Sequence, residues 1–201
     1  MKAVVLLSGG MDSTTLLYDL VHEGHEVHAL NIVYGSKHNH AERLAAQRIA
    51  ERAEVVYTEA DIDAIGQLFK SDLLLSGGDV PEGHYADESM KATVVPFRNG
   101  ILLSLAAGFA ESVEADIVAY AAHGGDHPIY PDCRPQFVFM MDRAIQEGTG
   151  GAVQLDAPYR EMTKTDVCAR GFGIGVPYEL TWSCYQPVRS GDDFIHCGRC
   201  G

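Results

Sequence analysis

Between Ser8 and Thr15 the chain reads Ser-Gly-Gly-Met-Asp-Ser-Thr-Thr, directly after the apolar run Ala3 to Leu7. Two adjacent glycines let a backbone turn tightly and bring its N–H groups up to an anion. A helix starting behind them would add a favourable partial positive charge, so a phosphate or pyrophosphate is the natural guest. The apolar run reads as a buried parallel strand, and Asp12, Ser13 and Thr14 are good capping residues for the helix that follows. The string is not a Walker A loop, which needs Gly-Lys-Ser/Thr, and not the Gly-x-Gly-x-x-Gly dinucleotide fingerprint. A lone Gly-Gly would be an ordinary strand-to-helix turn. The serines and the aspartate around it make this one more specific.

Two further sets of residues could do chemistry. The segment from Ala122 to Arg134 holds His123, Asp126, His127, Tyr130, Asp132, Cys133 and Arg134. Polar groups gathered in one loop cost free energy unless they have partners, so a binding site accounts for the set better than a hydrated loop. For any single member the hydrated loop is the simpler reading. Further along, Cys197-Gly198-Arg199-Cys200 forms a Cys-x-x-Cys pair with Cys184 13 positions upstream. That spacing suits a structural zinc site. Thioredoxin-like redox chemistry is the rival, but it needs a following helix to lower the first thiol's pKa, and the sequence has none after Cys200. Cys133 and Cys168 are expected to be packing residues.

Alternating patterns position these groups. Ser13 to His22 has helical spacing, with Leu16, Leu17 and Leu20 on one face. Val27 to Ile32 reads as a strand, His38 to Arg52 as a helix, Val55 to Tyr57 as a short strand and Ile62 to Leu75 as a helix. Ser76 to Lys91 breaks the rhythm with glycine, proline and acids and reads as a mobile surface loop. An apolar helix over Asn99 to Val113 precedes the strand Asp116 to Ala121. A helix over Arg134 to Glu147, a strand Val153 to Leu155 and a helix over Thr163 to Gly171 follow. This order predicts an α/β fold, a parallel sheet with helices on both faces. Ligands of such sheets collect beyond the carboxyl ends of the strands, where strand order reverses. The Ser8–Thr15 turn and the 122–134 loop should therefore face each other.

Composition bounds the function. The 201 residues are 46% hydrophobic, enough for one sizeable core. A net charge of −13, with scattered lysines and arginines, argues against a nucleic-acid-binding face. No apolar stretch is expected to reach the ~18 residues of a membrane helix, and no signal peptide is read ahead of the first strand, so a cytoplasmic protein is expected. In that setting the five cysteines are better read as thiols or metal ligands than as disulfides.

Several strings, spread in order along the chain, narrow the reading. They are Ser8 to Thr15; Tyr34-Gly35-Ser36-Lys37-His38 with Glu42; Val95-Pro96-Phe97-Arg98-Asn99; Tyr130-Pro131-Asp132-Cys133-Arg134 with Phe137; Thr181-Trp182-Ser183-Cys184-Tyr185; and Cys197 to Cys200. Together they resemble the QueC family of queuosine biosynthesis, the 7-cyano-7-deazaguanine synthases of the PP-loop ATP-pyrophosphatase superfamily. The resemblance implies a HUP, or adenine nucleotide alpha-hydrolase-like, domain over residues 1–180. A zinc-knuckle tail over residues 181–201 would belong to the same domain. It also implies conversion of 7-carboxy-7-deazaguanine, ammonia and ATP to 7-cyano-7-deazaguanine (preQ0). The carboxylate is adenylylated, ammonia displaces AMP to give an amide, and a second activation dehydrates the amide.

Residue by residue, the resemblance implies ATP contacts from Leu7, Ser8, Gly9, Gly10, Met11, Asp12, Ser13 and Thr14, with Arg98 and Lys164. Ser8, Asp12, Ser13 and Lys164 would carry the chemistry. Asp12 could hold Mg2+ on the phosphates or cap a helix, and Lys164 could face the pyrophosphate or be a solvated surface charge. Arg98, Asn99, His123, Asp126, Tyr130, Asp132 and Arg134 are the substrate candidates. Carboxylates such as Asp126 and Asp132 match the N1–H and exocyclic amine of a guanine-type ring. Tyr130 could stack on that ring or merely pack, and Arg98 with Asn99 could bind base or phosphates or form a helix cap beside a surface arginine. Cys184, Cys197 and Cys200 match the first three zinc ligands. The implied partners are the small deazapurine acid, ammonia and a second copy in a homodimer, with no nucleic acid and no membrane.

Departures from the family pattern define the rivals. The family usually has a fourth cysteine about three residues beyond Cys200 and then a helix, and neither is in this sequence: either the tail is lost, or a group such as His196 or water completes the site, or zinc is weak or absent. Ser36-Lys37 replaces Gln-Arg, and Phe97 replaces the glycine of Pro-Gly-Arg-Asn. These changes leave room for a relative that activates the same acid for another acceptor. A tRNA thiolase is disfavoured by the acidic charge and by the lack of an evident cysteine pair within the sheet. A nonenzymatic nucleotide- or zinc-binding module is disfavoured by the intact Ser8–Ser13 turn.

Overall fold

A computed structural model describes residues 1–80, 88–191 and 193–200. Strand β1 (Lys2–Leu6) leads through helix α1 (Met11–His22) to β2 (Glu26–Val33), and α2 (Asn39–Arg52) leads on to β3 (Val56–Asp61). After the single turn α3 (Asp63–Gly66) come α4 (Arg98–Ser112), β4 (Ile117–Ala119), α5 (Pro135–Gly148), β5 (Gln154–Asp156) and α6 (Lys164–Gly173). The five strands form one sheet in the order β3-β2-β1-β4-β5, and every pair is parallel. Ala3, Val4 and Val5 are fully buried, because β1 lies at the centre with helices on both sides, which is why its sequence is a continuous apolar run.

The two faces have separate cores. Leu16, Leu17, Ala46, Ile49 and Val167 of α1, α2 and α6 pack on Ala3 and Val5. Leu103, Ala106, Ala110, Val138 and Ile145 of α4 and α5 pack on Val4, Leu30 and Val118. Strand order reverses between β1 and β4, so the loops after these two strands flank the switch point, as the sequence predicts.

The helix expected over residues 62–75 is a single turn. A Cβ on Gly66 would lie 2.1 Å from the Tyr34 carbonyl oxygen, so the chain crosses under that carbonyl and cannot continue as a regular helix. Leu73 and Leu74 are instead buried with Tyr34 and Val95 in a satellite cluster. The departures at Ser36 and Lys37 serve this loop. Ser36 bridges Leu74, and Lys37 Nζ donates to Asp72 O at 2.8 Å and to Gly78 O. Of the loop read over residues 76–91, positions 81–87 lie outside the described residues, and Glu88–Thr93 forms a 3-10 turn.

Contrary to the expectation that no stretch reaches the necessary length, Lys91–Ser112 is long and apolar enough by composition to cross a membrane, with a mean hydropathy of 1.3. Its apolar residues Leu103, Ala106 and Ala110 are buried against the sheet. The tail folds back onto the α1/α2 side, where Trp182 and Cys184 join the core. A small antiparallel hairpin, β6 (Val188–Ser190) with β7 (Asp193–Ile195), follows.

Candidate active site

The turn after β1 is held from three directions. Leu7 is buried and its N–H donates to Leu30 O at 2.9 Å. Gly9 has φ +84°, and a Cβ there would lie 2.7 Å from Glu42 O and 2.8 Å from Ala46 N, both backbone atoms of α2. Gly9 O accepts the Trp182 N–H at 2.8 Å. Gly24 has a similar φ of +82° but open space around it, so the two positions separate conformation from packing. Left-handed backbone costs a side-chain-bearing residue about 1–2 kcal/mol at either site. Gly9→Ala must also displace α2, and its loss of melting temperature should exceed that of Gly24→Ala by at least ~4 °C. Equal losses in a thermal melt would show that α2 does not confine the turn.

Asp12, Ser13 and Thr14 do not cap α1 from outside. The helix begins at Met11, Gly10 is its N-cap, and no side chain caps it. Gly10 reaches the required extended conformation without a side chain, which moves the start two residues earlier than the polar residues suggest. Ser13 Oγ and Thr14 Oγ1 donate to Gly10 O at 3.2 and 2.7 Å. Ser8 Oγ lies 3.1 Å from Ser13 Oγ and accepts the Gly10 N–H at 3.3 Å. Asp12, in the first turn, therefore carries its charge where the helix dipole favours it.

Asp12 is the hub of a charged cluster. Its Oδ2 lies 3.3 Å from Lys164 Nζ and 3.8 Å from His123 Nε2, which is also 3.6 Å from Asp126 Oδ1. The other oxygen, Asp12 Oδ1, is buried with no hydrogen-bond partner among the described residues. His123 Nδ1 accepts the Gly125 N–H at 3.1 Å, which leaves Nε2 to carry the proton of the neutral ring and present it to the two carboxylates. Lys164 is placed by a capping box at the start of α6. Thr163 Oγ1 accepts the Asp166 N–H at 3.2 Å, and Asp166 Oδ2 accepts the Thr163 N–H at 2.9 Å. The Thr163 hydroxyl and then its N–H hold the Asp166 carboxyl below the usual carboxylate range. The box is thus intact at neutral pH and opens only as the pH falls through that lowered value.

A second cluster lies on the α4 side. Phe97, where the family pattern has glycine, is left-handed at φ 53°. Its ring lies over Gly100, where a Cβ would sit 2.4 Å from it, and meets Phe137 edge-on with centroids 6.0 Å apart. Arg98 Nη1 donates to Tyr34 OH at 3.2 Å, and the guanidinium lies 5.8 and 6.0 Å from the rings of Tyr34 and Tyr130. Burial presses the Arg98 pKa down, but Tyr34, Tyr130 and Tyr185 outweigh it and the group is firmly cationic.

Asp132 is buried and its Oδ2 accepts the Asn99 N–H at 2.9 Å, so it caps α4 from a distant loop. Asn99 Nδ2 reaches Asp132 O at 3.4 Å and Cys133 Sγ at 3.1 Å. Arg134 is exposed and its Nε donates to His127 O at 3.0 Å. The structure thus gathers Ser8, Asp12, Ser13, His123, Asp126 and Lys164 in one group, and Arg98, Asn99, Tyr130 and Asp132 in another. Arg134 is tied to its own loop. Tyr34 and Tyr185 are partners of Arg98 that spacing alone does not reveal; their signal is a tyrosine directly after β2 and another directly after Cys184.

The sulfurs of Cys184, Cys197 and Cys200 all lie within 4.8 Å of one another. Backbone N–H groups point at them: Cys197 N to Cys184 Sγ, and Arg199 N and Cys200 N to Cys197 Sγ, each at 3.3 Å, with Tyr185 N to Cys200 Sγ at 3.4 Å. The N–H groups of Cys200 and Arg199 hold the Cys197 thiol down to about 7, whereas burial pushes Cys184 up to about 11. No cysteine is in a disulfide. Three thiols with donors aimed at sulfur fit a thiophilic metal ion. Among the described residues His196 does not join them; its ring stacks on Trp182 at 4.3 Å.

The chain matches the family model described as queuosine biosynthesis protein QueC over residues 2–201. A 7-cyano-7-deazaguanine synthase of Porphyromonas gingivalis is 50% identical over 99% of this chain and 87% of its own length. Those of Caldicellulosiruptor saccharolyticus and Methanoregula boonei are 48% and 46% identical over all of this chain and 87% and 90% of their own. Among solved structures, a 4-thiouridine synthetase in complex with RNA and ATP superposes with a TM-score of 0.57 at 18% identity, covering 89% of this chain and 42% of that one. NMN synthetase from Francisella tularensis superposes with a TM-score of 0.55 at 16% identity, covering 91% and 65%. At that identity the likeness is one of fold. Identity near one half along the whole chain says more: this chain belongs to the QueC family.

Proposed function

We propose that the protein converts 7-carboxy-7-deazaguanine and ammonia to 7-cyano-7-deazaguanine at the expense of ATP, as an ATP-dependent C–N ligase. The observation that carries this reading is the meeting of Asp12, Lys164 and His123 at the switch point, beside a turn whose donors suit phosphates. A carboxylate is a poor electrophile, so one of its oxygens has to leave with AMP. The Ser8 and Ser13 hydroxyls, the N–H groups of the turn and Lys164 supply donors and positive charge for the departing pyrophosphate. The unpartnered Asp12 Oδ1 fits a Mg2+ ion, which when bound would neutralise phosphate charge. His123 Nε2 sits between Asp12 and Asp126, 3.8 and 3.6 Å from their carboxylate oxygens, and helps to keep the two apart. Arg98, Asn99, Tyr130 and Asp132 hold the deazapurine, ammonia displaces AMP, and a second activation turns the amide into the nitrile. We assign zinc to the three cysteines, and a cytoplasmic homodimer, on family grounds.

Ser36 and Lys37 brace the loop at Leu74 and Asp72, while Phe97 packs on Phe137 with a mostly exposed side chain; ammonia as the acceptor is taken from the family reading. The test is incubation with the acid, ATP and ammonium. AMP should form only when the acid is present, and mass spectrometry should find the nitrile. AMP formation with a different adduct would overturn ammonia as the acceptor; no acid-dependent AMP would overturn the reaction.

A further inference from the structure

The charges of the site do not balance on the α4 side. Lys164 has Asp12 at 3.3 Å, Lys37 is spent on the carbonyls of Asp72 and Gly78, and Arg134 donates to His127 O. Arg98 has no carboxylate in ion-pair range among the described residues; its neighbours are phenols, and one N–H reaches Tyr34 OH. A guanidinium carries five N–H donors in a planar fork that matches a carboxylate. An enclosed cation without an anion is an unfavourable arrangement that a bound anion would relieve. The phosphates have their own donors around Gly10 and their own cation in Lys164, on the α1/α6 side of the sheet. Arg98 is on the opposite side, its guanidinium 5.8 and 6.0 Å from the ring centroids of Tyr34 and Tyr130.

We infer that Arg98 is the specificity-determining residue that takes the carboxylate of the deazapurine acid, and that the Tyr34 and Tyr130 rings set the plane of its fork. This inference rests on the substrate proposed above. Two parallel N–H···O bonds would fix the carboxyl plane and distinguish the acid from neutral ring analogues.

Calorimetric titration in the presence of a nonhydrolysable ATP analogue tests it, with 7-carboxy-7-deazaguanine and its neutral 7-carboxamide as ligands. The wild-type protein should bind the acid at least ~10-fold more tightly than the amide. Arg98→Gln should weaken the acid by about 10- to 100-fold, the range for hydrogen bonds to a charged group, and change amide and ATP-analogue binding by less than ~3-fold. Arg98→Lys, which keeps the charge but not the fork, should fall between. Equal affinity of wild type for acid and amide, or parallel loss of both ligands in Arg98→Gln, would overturn the carboxylate role. A wild-type protein that binds neither ligand would overturn the substrate proposal itself, and the inference with it.

Discussion

Replacing Asp12 by alanine should leave a folded protein whose acid-dependent AMP formation falls by about 10²- to 10³-fold, the scale of losing one preorganised electrostatic group. The fold should survive because Asp12 contributes little to it. Its ion pair with Lys164 is made with a side chain that is 60% exposed, and such pairs contribute about 0–1 kcal/mol. The capping that starts α1 comes from Gly10 and not from Asp12. What the substitution removes is a carboxylate beside Lys164 and His123 whose buried Oδ1 has no hydrogen-bond partner among the described residues. Steady-state AMP release and a thermal melt on the same sample decide the matter. Undiminished turnover in a folded Asp12→Ala protein would remove Asp12 from the chemistry.

Protein purified without chelator should carry one zinc ion per chain, held at Zn–S distances of about 2.3 Å, and Cys184→Ser should abolish that stoichiometry. The accompanying loss of stability should exceed that of Gly9→Ala. Metal binding by such knuckles is folding free energy, about 10–16 kcal/mol for structural zinc in isolated finger peptides. Phe194 and His196 pack on Trp182 and Tyr185 on His38, but the hairpin beyond is thinly packed, with Val188 and Ile195 exposed. Metal analysis by mass spectrometry and melting with and without chelator measure both parts. A metal-free protein with an ordered tail, or a Cys197–Cys200 disulfide, would refute the assignment.

Local features are legible in the sequence and distant ones are not. The Ser8–Thr15 turn and the three cysteines lie in short strings whose chemistry depends on spacing, so their reading needs no tertiary structure. Strand-helix alternation is enough to place the 122–134 loop across from that turn. Residues 62–75 mislead because an apolar run can be buried one residue at a time beneath a loop, as Leu73 and Leu74 are, without lining a helix face. Asp132 reads from sequence as a base-binding group; that its Oδ2 also caps α4 through the Asn99 N–H is a pairing across separate loops that no periodicity encodes. The ring partners of Arg98 come from the loops after β2 and β4 and from the tail, and only folding brings them together.

The hydrogen bond from the Trp182 N–H to Gly9 O has a consequence for the polarity of the turn. Gly9 O and the Gly10 N–H belong to one planar trans peptide and point in opposite directions. Anchoring the oxygen on the tail therefore aims the Gly10 N–H the other way, toward Ser8 Oγ at 3.3 Å and the side where an anion would lie. Between two glycines such a plane can rotate at small steric cost. Were the tail to let go, a flip would turn an acceptor toward the phosphates, and a concavity that attracts anions would become one that repels them.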